Sequence, residues 1–99
     1  MQEEIIGKTK EYYFNQSDNG EYQWQAFIFK SNDEYFIGIQ THFIKKDGTS
    51  KLNQFAKYRD IRYKTINDVK QKLKEKVKLK KEKGYMKESK FKKVEVSAV

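Results

Sequence analysis

Ninety-nine residues with a net charge of +8 and neither cysteine nor proline describe one small basic domain, since single cores occupy about 50–200 residues. The lack of cysteine excludes disulfide frameworks, thiolate metal sites and cysteine nucleophiles. No apolar run approaches the roughly 18 residues of a membrane span, and Met1-Gln2-Glu3-Glu4 is acidic where a secretory leader would be basic, so a cytoplasmic protein is expected.

Charged residues make up 36% of the chain, yet the hydrophobic ones come in blocks, which predicts a folded core. The first strand is expected over residues 5–14, ending in the rings Tyr12, Tyr13 and Phe14. Asn15 to Gly20 then reads as a turn, because an Asn-Gly pair tolerates the positive φ of a tight hairpin. Over residues 22–30 the alternation is clean. Tyr22, Trp24, Ala26 and Ile28 share one face, the expected core face, and Gln23, Gln25, Phe27 and Phe29 share the other.

Ser31-Asn32-Asp33 marks the next turn, and a strand follows over residues 35–44. It sets Tyr35, Ile37 and Ile39 on one side and Phe36, Gly38 and His42 on the other. Lys46-Asp47-Gly48-Thr49 is a third turn signal, followed by a strand over residues 51–58. Beyond Tyr63 the period changes. Thr65 and Asp68 form a start signal, and Ile66, Val69, Leu73 and Val77 recur at helical spacing. A helix is therefore expected over residues 66–83, stopped at Gly84, with a short strand over residues 91–97. The fold class is α+β: one domain over residues 1–99, with an antiparallel sheet of about four to five strands and one lysine-rich helix on one face.

Residues 1–60 carry eight Lys or Arg against nine Asp or Glu, whereas residues 61–99 carry fourteen against five. The excess positive charge thus sits in the last two-fifths of the chain and should form one basic side, attractive to polyanions. On the helical wheel Lys70, Lys74, Lys78 and Lys81 line one edge of the apolar stripe, and Lys72, Lys76 and Lys83 line the other. Lys90, Lys92 and Lys93 would extend the patch. Such rows can track a phosphate backbone, cover the rim of the core with their aliphatic stems, or meet a lipid surface. Twenty of the 22 basic residues are lysine, a point charge without the fork that reads base edges, which favours non-specific contacts.

Nothing in the sequence assembles a catalytic site. His42 is the lone histidine, the carboxylates are scattered, and no Gly-rich phosphate loop or nucleophile elbow occurs. The expectation is a non-enzymatic protein without metal or cofactor that binds nucleic acid through its basic C-terminal half. A protein-interaction module is the alternative, of a size and charge that suit a phage or mobile-element protein. Its anchors would be Phe27, Phe29 and Phe36, on the sheet face that a single helix leaves open. An open aromatic face would also suit a homodimer.

Gly48-Thr49-Ser50-Lys51-Leu52 followed by Phe55, together with Lys83-Gly84-Tyr85 at the helix end and Phe91 before the last strand, resembles the WGR domain. That module occurs in some poly(ADP-ribose) polymerases and bacterial proteins. The resemblance spans residues 8–97 in layout and a few positions in identity. It implies a sheet-plus-helix fold and a nucleic-acid partner. The signature departs from the family, because Thr41, His42 and Phe43 stand where Trp, Gly and Arg would be. The nucleic-acid contacts of those three residues therefore have no counterpart here.

Overall fold

The structure, a computed structural model, describes residues 3–17 and 19–89. Its elements are β1 (Glu4–Lys8), β2 (Tyr12–Ser17), β3 (Gly20–Ser31), β4 (Glu34–Lys45), β5 (Ser50–Tyr63) and α1 (Ile66–Glu82). All strands pair antiparallel in one five-stranded sheet, ordered β1-β3-β4-β5, with β2 also on β3. The helix packs against this sheet, so the α+β expectation holds. The segment expected as a strand over residues 91–97 lies outside the described residues.

β1 and β2 are two halves of one edge strand. β4 occupies one side of β3, and both halves lie along the other, with Lys8 opposite Phe27 and Tyr12 opposite Trp24. The break falls at Thr9, which keeps the ladder going with its side chain. Its N–H donates to the Ala26 carbonyl at 2.9 Å, and its Oγ1 accepts from the Ala26 N–H at 3.1 Å. Gln25 Nε2 closes the gap by donating to the Thr9 carbonyl at 2.8 Å.

The β3–β4 hairpin turns on two consecutive left-handed residues, Asn32 (φ 51°) and Asp33 (φ 64°), the pattern of a two-residue turn matched to strand twist. In the β4–β5 turn Asp47 Oδ1 accepts from the Thr49 hydroxyl at 2.6 Å and from the Thr49 N–H at 2.9 Å, which hold that carboxyl below its ordinary value. β5 runs five residues past its expected end because its far part is bulged. Ile37 pairs with Tyr58 and Tyr35 with Tyr63, so Arg59 to Arg62 stand opposite Phe36 alone.

The helix starts where Thr65 Oγ1 accepts from the Asp68 N–H at 3.1 Å. It ends before Gly84, whose φ of +104° a side chain would resist. Val69 and Leu73 are buried on Tyr12, Trp24, Ala26, Ile28 and Ile37, with Ile66 and Val77 at the margins, as the stripe predicts. Beyond the helix the chain returns to the sheet. Met86 exchanges both backbone hydrogen bonds with Tyr13, on the outer edge of β2, and Tyr85 stacks on Phe14 at 5.2 Å.

Candidate functional site

One flank of α1 faces the edge strand across an open groove of about 570 Å³. The helical repeat sets Lys70, Lys74, Lys78 and Lys81 along one rim, spread over about 16 Å at 1.5 Å per residue. On the other rim stand Lys8, the last residue of β1, and Lys10, either side of Thr9, which is held to Ala26 by its hydrogen bonds. Tyr12, Ile28, Leu73 and Val77 form the apolar floor. Lys81 Nζ stands 5.8 Å from the centre of the Tyr12 ring and closes one end.

The electrostatics of the groove are one-sided. All six lysines are exposed, and among the described residues no carboxylate lines the groove itself; Glu88 stands in the adjoining hollow beyond Lys81 and Tyr12. Among the described residues, ion pairs join Lys57 and Arg59 to Glu3 and Lys72 to Glu75, and none reaches the six. Six lysines around one cleft sum their potentials and attract an extended anion far better than any one of them would.

The structure thus gathers Lys70, Lys74, Lys78 and Lys81 as the wheel predicts, and adds Lys8 and Lys10. In the second row Lys72 and Lys76 share a smaller hollow with Tyr58 and Ile61 on the other flank of the helix. Lys72 is tied to Glu75 at 3.5 Å, Lys76 lies 5.9 Å from the Tyr58 ring, and Lys83 caps the helix end. Lys90, Lys92 and Lys93 lie outside the described residues. Lys80 belongs to neither row. Its ammonium sits 5.7 Å from the Trp24 ring and 4.9 Å from the Tyr85 ring. Burial lowers its pKa, with Lys83 and Lys76 pushing the same way.

The opposite sheet face corrects one expectation. Phe29 is 3% exposed and Phe36 fully buried, and Phe27 is half-buried, so these rings form no open patch. Phe29 stacks on Phe36 at 5.0 Å, and Phe27 stacks on Phe55 of β5 at 5.7 Å. A layer of cations covers them. Lys57 Nζ lies 5.1 Å from the Phe29 ring, and the guanidinium groups of Arg59 and Arg62 lie 5.9 and 5.2 Å from the Phe36 ring. The β5 bulge makes this cover possible, held by a bond from Arg62 Nε to the Arg59 carbonyl at 3.0 Å. Glu3 then bridges Arg59 (2.5 Å) and Lys57 (3.4 Å). The hydrogen bonds from Arg59 pull its carboxyl down to about 2.

The rest of that face is a polar chain rather than a reactive site. His42 Nδ1 meets Gln23 Oε1 at 3.0 Å, and the Tyr13 hydroxyl donates to Glu11 at 3.0 Å. Burial first, and then Glu11, raise the Tyr13 phenol. Glu21, buried beneath the C-terminal leg, accepts from Ser89 Oγ. Among the described residues no three acidic or histidine side chains gather where a metal could be held, and no helix is long and apolar enough to cross a membrane.

None of the protein-family models, curated proteins or solved structures compared with the chain matches it.

Proposed function

We propose that this chain is a non-enzymatic nucleic-acid-binding protein whose phosphate contacts are made by the groove between β1 and α1. The observation that carries the reading is the convergence of Lys8, Lys10, Lys70, Lys74, Lys78 and Lys81 on one cleft that no carboxylate lines among the described residues. A folded protein seldom leaves six like charges together without a counter-charge, since each repels the others. A phosphate backbone supplies that counter-charge at regular intervals and releases its condensed cations in return. The resemblance to WGR domains leans the same way, although it supplies none of these six lysines.

The test is fluorescence anisotropy of labelled oligonucleotides across a salt series. Log affinity should fall against log salt with a slope of about 0.7 per phosphate contacted on a single strand, or 0.9 on a duplex. Changing Lys70, Lys74 and Lys78 to Gln should remove about 2 from the magnitude of the slope on a single strand, or nearly 3 on a duplex. The triple change at Lys72, Lys76 and Lys83 should leave the slope nearly as it was. Equal effects from the two triples would place the contacts elsewhere.

A second reading has one observation in its favour. Leu52, Tyr58 and Ile61 are 52%, 44% and 57% exposed along β5, whose outer edge has no strand beside it among the described residues. A protein docking there would bind with little salt dependence and would lose affinity on Ile61→Asp.

A further inference from the structure

The groove has two components, and phosphate binding uses only one of them. Its rims are cationic, but its floor is apolar: the buried side chains of Tyr12, Ile28 and Leu73 close the bottom, Val77 is the most exposed of the four, and Gly7 leaves the wall beside Ile28 low. A duplex presents a continuous phosphate surface and keeps its bases stacked inside, so it would engage the rims and leave the floor wet. A flat lysine surface would serve a duplex equally well. The cleft here, about 570 Å³, falls within the range of about 300–1,000 Å³ typical of sites that enclose a small organic group.

We infer that the groove takes a single-stranded nucleic acid, with a base on its apolar floor and the flanking phosphates on the lysines of its two rims. This rests on the proposed function and narrows it. Two features favour a strand over other anions with an apolar part. The four helix lysines are spread over about 16 Å, so a single headgroup or mononucleotide would engage one or two and leave the rest unpaired. The opposing rim carries Lys8 and Lys10, so a backbone that enters along the helix can leave past the edge strand while its base points inward. A base on such a floor meets the single ring of Tyr12 and aliphatic side chains through its face, which every base has, so little sequence preference is expected. The scarcity of arginine agrees with that.

Oligothymidine, an abasic strand of equal length, a duplex of equal length and inorganic polyphosphate separate the two components. The strand with bases should bind at least about tenfold tighter than the abasic strand at the same salt. It should also outcompete the duplex. Gly7→Leu should lower the affinity for oligothymidine several-fold more than the affinity for polyphosphate. The backbone at Gly7 accepts a side chain, because an added Cβ would meet Ile28 Cδ1 at an ordinary 3.4 Å. Equal affinity for the abasic strand, the duplex and oligothymidine would overturn the inference and leave the proposed function standing. Failure of all four polyanions would overturn both. Binding to phosphatidylserine vesicles with no binding to any oligonucleotide would also overturn both, in favour of a lipid surface.

Discussion

Replacing Gly38 with alanine tests the cation-covered ring cluster on the far face of the sheet. An ideal Cβ at Gly38 would lie 2.4 Å from Phe29 Cε2 and 3.3 Å from Phe55 Cε1. The Phe29 ring cannot retreat easily, because it is 3% exposed, stacks on Phe36 with an interplanar angle of 3° and carries Lys57 above it. Overpacking of this kind costs about 1–3 kcal/mol. At an unstrained strand position the same change would stabilise by about 0.5–1 kcal/mol, since glycine loses more backbone entropy on folding. The clash should win, with a net loss of about 1–2 kcal/mol, or roughly 5–10 °C in Tm for a domain of this size. Thermal unfolding followed by circular dichroism reads this directly. Pairing Gly38→Ala with Phe29→Leu makes room for the methyl, so the double variant should be more stable than the sum of the single losses by at least about 0.5 kcal/mol. A Gly38→Ala protein as stable as its parent would refute the packing described for Phe29.

Two further predictions concern local interactions. The Glu3 carboxyl is held at about 2 by Arg59 and Lys57, below its ordinary 4.5, so its contribution to stability is present above about pH 4.5 and is lost as pH falls towards 2. Denaturant unfolding of the parent and of Glu3→Gln should therefore differ at pH 6 and converge near pH 2, and a constant difference would contradict the pairing. Thr65→Ala removes the oxygen that accepts the Asp68 N–H at 3.1 Å and should cost about 1 kcal/mol, whereas Thr65→Ser should restore most of it.

The helix was legible in the sequence because each of its signals is local. The spacing of Ile66, Val69, Leu73 and Val77, the Thr65 cap and Gly84 all act within a few residues of one another. The alternation of Trp24, Ala26 and Ile28 identified the core face for the same reason. Two features needed topology. Lys8 and Lys10 join the helix lysines only because β1 lies on the outer side of β3 beside the flank of α1, and no spacing in the sequence relates residue 8 to residue 74. The end of β5 was missed because Tyr58-Arg59-Asp60-Ile61-Arg62 loses its alternation in the bulge. That same bulge turns the chain's two arginines onto Phe36, so a face expected to be open is covered by side chains that pattern alone assigns to solvent.

The lysine groove is tested most directly by amine-reactive footprinting of the whole protein, with and without saturating single-stranded oligonucleotide, read by mass spectrometry. Bound nucleic acid should protect Lys8, Lys10, Lys70, Lys74, Lys78 and Lys81 together. Lys45, Lys46 and Lys51, exposed near the β4–β5 turn, should stay reactive. Protection spread evenly over all lysines, or confined to Lys72, Lys76 and Lys83, would contradict the assignment of the groove as the binding site.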